Sequence, residues 1–302
     1  MAGQTASCGT RGIAPFNCAI REGTPRMTLG FALGMSLPQA IALFVAAVLG
    51  GALNAVAGGG SVITLPTLIL AGVPPVQASA TNTTALWPGS LASATAYRDA
   101  LDVSRATLIV LGAASVVGGL LGAVVLLHTP QRTFLRLTPY LLLAATLLFA
   151  FGGRLTSWVR ARWRKGSTPP WLATAGLALL QLVIATYGGF FGGGMSILIL
   201  AMLALTGMED IHTMNALKIV LASIINGVAV IAFTVAGKIF WPQALVMVVG
   251  AVIGGYGGAA LAHRVPARYV RWFAIAVGVA ASAYLFYQQY YPYIQQVLQL
   301  PR

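Results

Sequence analysis

Charged residues are scarce in this chain, and acidic residues are scarcer still. Only 8% of the 302 residues carry a charge, about a third of the roughly 25% that is usual in soluble domains. A soluble fold of this size could not cover its surface with so few charges, so an ordinary soluble enzyme is excluded. The apolar share of 58% also excludes a disordered chain. An integral membrane protein with many helices fits both numbers.

Cysteine is almost absent, and both copies, Cys8 and Cys18, lie in the N-terminal tail. Two cysteines cannot form the framework of a disulfide-rich secreted module. The apolar part of the chain has none, so thiol catalysis there is excluded, and no Cys and His cluster has the spacing of a metal site. We therefore expect no metal and no cofactor. Since no plausible nucleophile–base pair is present either, we expect that the chain is not an enzyme.

The few charges are strongly unbalanced, with 18 Lys and Arg against five Asp and Glu, a net charge of +13. In a soluble protein this excess would suggest nucleic acid, but much of it lies between apolar runs, where positive-inside sorting explains it. Residues 153–170 carry five positive residues and no acid, which predicts a cytoplasmic linker. We expect the lipid bilayer and a small anionic substrate as partners, and no nucleic acid.

Ten apolar runs follow the basic tail, residues 1–36. Two of them are too short to cross a bilayer upright, which indicates half-helices or re-entrant segments. The expected organisation is a first membrane repeat at 37–152, the linker at 153–170, a second repeat at 171–291 and a C-terminal tail at 292–302. The ten runs cover 37–56, 62–72, 76–97, 106–127, 134–152, 171–191, 196–206, 211–235, 241–262 and 272–290.

The two apolar regions repeat one pattern, which is typical of secondary transporters. The sequence therefore predicts an all-α polytopic membrane protein with two pseudo-symmetric repeats, each of about four long transmembrane helices plus one short half-helix after a glycine-rich turn. If the short segments cross, the repeats are inverted; if they re-enter, the repeats are parallel. The charge rule favours inversion. The matched positions are 58–61 (GGGS) with 192–195 (GGGM), Asn82 with Asn215, and Ser90 with Ser223.

Polar residues form a stripe along the 211–235 helix and another along the 76–97 helix. At 100° per residue, Asn215 and Asn226 differ by only about 20° around the helix axis, and Lys218 lies about 60° to one side. Asn82 and Ser90 share a side of the earlier helix. Two such stripes would build a polar pocket inside the bundle. The alternative is that these side chains hydrogen-bond neighbouring helices together.

Lys218 and the glycine clusters point to an anion. A lysine inside an apolar segment is costly and tends to be functional, although it can also snorkel to an interface. Half-helices beginning at Ser61 and Met195 would direct free N–H groups and positive dipole ends at a ligand; the alternative is that the glycines serve close packing. The predicted substrate-binding residues are Gly59, Gly60, Ser61, Thr81, Asn82, Ser90, Gly193, Gly194, Met195, Asn215, Lys218, Ser223 and Asn226.

Two residues near the start of the polar helix are candidates for ion coupling. Asp210 and His212 could relay protons, because histidine titrates near neutrality. The alternative is a solvated first turn in which the acids complement the helix dipole. No nucleotide-binding motif is present, so transport would be driven by an ion gradient or by the gradient of the substrate.

Two segments carry a family resemblance. Residues 54–84 read NAVAGGGSVITLPTLILAGVPPVQASATNTT, and residues 188–218 read GGFFGGGMSILILAMLALTGMEDIHTMNALK. Both resemble the TauE/SafE sulfite exporter family of bacterial membrane proteins, over essentially 37–290. The resemblance implies a multi-pass protein of the bacterial inner membrane that exports small sulfur oxyanions or organosulfonates, such as sulfite or sulfoacetate.

The expected function is therefore a secondary transporter that holds its substrate between two repeats and alternates access by rocking one against the other. Two alternatives stay open: a carrier for another small solute, and a membrane scaffold that does not transport. We also allow for a homo-oligomer.

Overall fold

The computed structural model describes residues 35–96, 103–162, 170–206, 208, 210–261 and 267–298. Within these ranges the chain is built from helices and turns, and no strand is present. The order of the elements confirms the succession of apolar runs in the sequence. The helices are α1 Leu37–Ala57, α2 Ser61–Leu70, α3 Pro75–Ala96, α4 Arg105–His128, α5 Gln131–Arg162, α6 Pro170–Phe190, α7 Met195–Ala204, α8 Ile211–Val235, α9 Trp241–Leu261 and α10 Ala267–Leu298.

Among the described residues, four helices are long and apolar enough to cross a bilayer, and three shorter apolar helices accompany them. This composition is that of an integral membrane protein. The four candidate spans are Leu37–Ala55, Arg105–His128, Gln131–Val159 and Thr213–Val235.

The short helices α2 and α7 have 10 residues each, about 15 Å at 1.5 Å per residue, or half of a typical hydrocarbon core. Glycine turns separate them from the helices before them. Gly58 ends α1 with φ 77°, and Gly194 precedes α7 with φ 79°. Glycine has no Cβ and so adopts this left-handed conformation without strain. The predicted break between a long helix and a half-helix is confirmed in both places.

Close helix pairs form the body of the bundle. Helix α1 packs along α9, and α6 packs along α4. A Cβ added at Gly254 of α9 would lie 1.9 Å from the Val48 carbonyl oxygen of α1, and one at Gly122 of α4 would lie 2.1 Å from the Thr186 carbonyl oxygen of α6. Glycine at these positions lets the two backbones touch, as in other membrane helix pairs.

Helices α3 and α8 pack on each other, and they carry the two predicted polar stripes. The indole Nε1 of Trp87 on α3 donates a hydrogen bond to the Ser223 carbonyl oxygen on α8 at 3.0 Å. A Cβ at Gly227 would lie 3.0 Å from the same indole. Helices α5 and α10 pack together and contact α7 and α2, respectively.

Two helices are longer than the sequence predicts. Helix α5 continues to Arg162, so the first ten residues of the expected 153–170 linker are helical. Helix α10 spans Ala267–Leu298 and enters the expected 292–302 tail. Hydropathy locates the apolar part of a span, whereas a helix continues for as long as its backbone hydrogen bonds can form. Basic and aromatic residues past the apolar part therefore stay helical.

Candidate functional site

A small cavity lies where the starts of α2 and α7 meet the long helices α1, α3 and α8. Its volume is about 40 Å³, room for roughly three water molecules at ~10–15 Å³ each. Such a cavity suits a small solute. Its polar lining consists of Asn54, Ser61, Thr83, Ser90, Ser196, Lys218 and Asn226.

Lys218 on α8 brings a positive charge into this cavity. Its side chain is only 6% exposed, so it lies inside the bundle and not at the surface. The ammonium Nζ donates a hydrogen bond to Oδ1 of Asn215 at 3.1 Å. Asn215 is a neutral partner, and a buried charge without a counter-charge costs free energy. An anion in the cavity would offset that cost.

The two half-helices add further positive potential. Ser61 is the first residue of α2 and Met195 the first residue of α7, and both line the cavity. The N-cap residues are Gly60 and Gly194, and neither helix start receives a side-chain cap. The Val62, Ile63 and Ile197 N–H groups donate to the carbonyl oxygens of Gly59, Gly60 and Gly194. The helix starts therefore favour an anion through the positive end of the helix dipole and the N–H groups that remain. The start of each half-helix and the buried ammonium therefore meet at one place.

Asn82 lies behind Ser61 and holds it in place. The Asn82 side chain is fully buried; its Nδ2 donates to Ser61 Oγ at 3.0 Å, and its Oδ1 accepts from Thr64 Oγ1. Because Ser61 Oγ accepts from Asn82, the Ser61 hydroxyl hydrogen is left to point elsewhere. Asn82 is thus a positioning residue that favours Ser61 as a hydrogen-bond donor to the cavity.

The structure brings together part of the predicted site. Ser61, Ser90, Met195, Lys218 and Asn226 line the cavity. Asn82 and Asn215 are held one hydrogen bond away from it, on Ser61 and Lys218.

Two predicted side chains lie apart from the cavity lining. The Thr81 hydroxyl accepts a hydrogen bond from the Phe240 backbone N–H at 3.0 Å, which anchors the connection between α8 and α9 to α3. Ser223 is 6% exposed, and its Oγ has no hydrogen-bond partner among the described residues. Neither residue belongs to the lining of the cavity.

The four predicted glycines are packed against protein. A Cβ at Gly59 would overlap the Phe149 ring at 1.7 Å, and one at Gly60 would lie 2.2 Å from the Gly50 carbonyl oxygen. A Cβ at Gly193 would lie 2.7 Å from the Phe191 ring, and one at Gly194 would lie 3.2 Å from the Leu148 side chain. The glycines that line the cavity are the preceding ones, Gly58 and Gly192. Close packing thus accounts for Gly59, Gly60 and Gly193, and the left-handed backbone accounts for Gly194.

Asp210 caps α8. Its carboxylate accepts hydrogen bonds from the Thr213 backbone N–H at 3.0 Å and from the Thr213 hydroxyl at 2.7 Å. This is the capping arrangement that stabilises a helix start. The His212 side chain lies outside the described residues, and the coupling role of the pair stays a prediction.

Asn54, Thr83 and Ser196 are polar cavity residues that are absent from the predicted site. Asn54 lies on the last turn of α1, four residues before Gly58, and its Nδ2 donates to Ser90 Oγ at 3.1 Å. The i, i+4 spacing puts Asn54 and Gly58 on one face of α1. That spacing is the signal that could have identified Asn54.

A helical bundle with an electropositive cavity at the ends of interrupted helices is typical of membrane transporters. The profile of the family described as "Sulfite exporter TauE/SafE" matches residues 43–285. The chain belongs to this family of membrane transporters, which confirms the resemblance seen in its two glycine-rich segments.

The relatives that match this chain are also described as membrane transporters. The chain is 29% identical over 252 residues to "Probable membrane transporter protein YfcA" of Escherichia coli (strain K12), covering 82% of this chain and 90% of that protein. It is 27% identical to "Probable membrane transporter protein ORF9" of a Sinorhizobium species, covering 83% and 93%. It is 26% identical to a "Probable membrane transporter protein" of Haemophilus influenzae, covering 82% and 94%. No solved structure matches the chain significantly.

Proposed function

We propose that this transporter exports a small sulfur-containing anion, such as sulfite or an organosulfonate, across the bacterial inner membrane. The observation that carries the proposal is the meeting of Lys218 with the starts of α2 and α7 in one cavity. An anion that leaves water must regain the stabilisation of its hydration shell. Here the ammonium, the Ser61 hydroxyl, the Asn226 amide and the N–H groups of both half-helices would supply it.

Alternating access is supported by how the helices pack. Helix α1 packs on α9 as α6 packs on α4, and α3 packs on α9 as α8 packs on α4. If α1–α5 are exchanged with α6–α10, the α1–α9 pair becomes the α6–α4 pair, and the α3–α9 pair becomes the α8–α4 pair. Such exchange is what two structural repeats produce, whether parallel or inverted, and transporters built from repeats move their substrate by rocking around a central site. The proposal includes inverted repeats, with the basic residues of 153–170 on the cytoplasmic side.

Flux into or out of proteoliposomes tests this function. Radiolabelled sulfite and a labelled organosulfonate would be loaded on one side, and initial rates would be compared for the unmodified protein, Lys218→Ala and Lys238→Ala. Lys238 is the matched control, because it lies in the connection between α8 and α9 and not in the cavity lining. We expect saturable flux that falls at least about tenfold in Lys218→Ala, a loss of about 1.4 kcal/mol, and stays unchanged in Lys238→Ala.

The same assay separates the alternatives. A carrier for another small solute would move neither sulfur anion but would move that solute with no dependence on Lys218. A scaffold would give no saturable flux of any solute tested. Either result would reject the proposed function.

A further inference from the structure

Asn54 presents an amide of defined orientation to the cavity. Its Nδ2 donates to Ser90 Oγ at 3.1 Å, and Ser90 Oγ in turn donates to the Leu86 carbonyl oxygen at 3.3 Å. A hydroxyl has one hydrogen to donate. Since that of Ser90 goes to the backbone, Ser90 can only accept from Asn54. The Nδ2 atom of Asn54 is therefore held toward Ser90, and the two amide atoms cannot exchange places without losing a hydrogen bond.

This orientation leaves one donor and one acceptor of Asn54 for a ligand. The second N–H of Nδ2 and the oxygen Oδ1 have no hydrogen-bond partner among the described residues. Asn54 is half-buried and lines the cavity. An amide edge with a donor beside an acceptor matches a hydroxyl group, which can accept from the N–H and donate to Oδ1.

On the opposite wall, the position equivalent to Asn54 carries no amide. With 58–61 matched to 192–195, the counterpart of Asn54 is Gly188. A Cβ at Gly188 would lie 2.5 Å from Sδ of Met195, so the thioether fills the room that an asparagine would need. Ser223, the counterpart of Ser90, correspondingly has no partner for its hydroxyl among the described residues. The amide that is fixed by a serine hydroxyl is thus found on the wall formed by α1 and α3, while Asn226 of α8 is a second amide in the cavity lining.

We propose that Asn54 is a specificity-determining residue, and that the preferred substrate is an anion that also carries a hydroxyl group. Building on the proposed function, the anionic oxygens face Lys218 and the half-helix starts, while the hydroxyl pairs with the Asn54 amide. An anion with hydrogen-bond acceptors but no donor would place an oxygen against Oδ1 of Asn54, where the two oxygens repel. An anion whose remaining part is apolar would leave the Asn54 amide without a hydrogen bond. A site built around a hydrogen bond discriminates strongly against analogues that lack the group.

Two sulfonates that differ only in the hydroxyl test this assignment: 2-hydroxyethanesulfonate and ethanesulfonate. We expect the full-length protein in proteoliposomes to transport the hydroxylated compound with at least about tenfold higher kcat/KM. In Asn54→Leu, which keeps the volume and removes the amide, the ratio of the two rates should fall toward one while ethanesulfonate flux persists. Ser90→Ala releases the Asn54 amide from its fixed orientation and should lower the ratio partially.

The readout is a ratio of two substrates on the same protein sample, so a loss of folded protein cancels from it. A ratio that is unchanged in both Asn54→Leu and Ser90→Ala would overturn the assignment and leave the proposed function intact. An unmodified protein that transports both sulfonates equally would overturn it as well. An unmodified protein that transports neither sulfonate nor sulfite rejects the proposed function and the assignment together.

Discussion

The Lys218 ammonium donates to the Asn215 amide oxygen 3.1 Å away, one helical turn earlier on α8. An amide oxygen solvates a cation but does not neutralise it. The pair therefore keeps a positive charge in the cavity, held by a group that an incoming anion can outcompete. The remaining N–H bonds of the ammonium are left for the solute.

Removing the Asn215 amide should make the stability of the protein depend more strongly on a bound anion. In Asn215→Leu the ammonium loses its hydrogen bond, which should cost about 1–3 kcal/mol of stability. Sulfite should stabilise Asn215→Leu by more than it stabilises the unmodified protein. In the variant, the bound anion becomes the main partner of the Lys218 ammonium. Thermal unfolding in detergent, with and without sulfite, measures both effects. Equal melting temperatures for the two proteins under both conditions would contradict this role of the pair.

Asn82 acts through Ser61, so the two residues should not contribute independently. We expect Ser61→Ala and Asn82→Leu each to lower sulfite flux severalfold, the first by removing the donor and the second by releasing it. The double variant should transport about as well as Ser61→Ala alone, since Asn82 has nothing left to position and residues in one hydrogen-bond network show non-additive effects. Flux measured across this double-mutant cycle is the check. Strictly multiplicative losses would show that Asn82 has a role apart from Ser61.

The Ser223 hydroxyl has no partner among the described residues, and an unsatisfied buried polar group costs stability. We expect Ser223→Ala to keep sulfite flux and to leave the melting temperature equal or higher. Ser115→Ala is the matched control, because the Ser115 hydroxyl accepts from Gln181 and donates to Leu111, both at 2.7 Å. Ser115→Ala should lower the melting temperature, because it removes both hydrogen bonds. A large loss of flux in Ser223→Ala would return Ser223 to the substrate site.

Helix α9 offers a paired test of close packing. A Cβ at Gly254 would meet the backbone of Val48 at 1.9 Å, whereas no described residue has an atom within 4 Å of a Cβ at Gly257. Gly254→Ala should destabilise by at least about 1–3 kcal/mol, because rigid backbone must move. Gly257→Ala should be neutral or stabilise by up to about 1 kcal/mol through helix propensity. Thermal unfolding of both variants compares them directly, and similar melting temperatures would mean that α1 and α9 are not held at this distance.

Sequence reasoning could identify the site residues whose polar or charged side chains are unusual in an apolar segment. Lys218 could be predicted because a charge in an apolar run is expensive and needs a reason. Asn82 and Asn215 could be predicted from helical spacing, although spacing alone could not show that each contacts the site through another side chain.

Other features depend on packing that spacing does not reveal. Gly59 and Gly58 look alike in the sequence, yet the Phe149 ring covers the first while the second lines the cavity. The spacing of Asn54 to Gly58 places it near the glycine turn, but its hydrogen bond to Ser90 is visible only in the structure. The end of α5 was misplaced because hydropathy stops at the apolar part of a span and the helix does not.

A structure determined with bound sulfite would show whether this cavity is the substrate site. We expect an anion in the cavity, within hydrogen-bond distance of Lys218 Nζ and Ser61 Oγ, at the N-terminal turns of α2 and α7. An anion bound elsewhere, with Lys218 still paired to Asn215 alone and the cavity holding only water, would contradict this expectation.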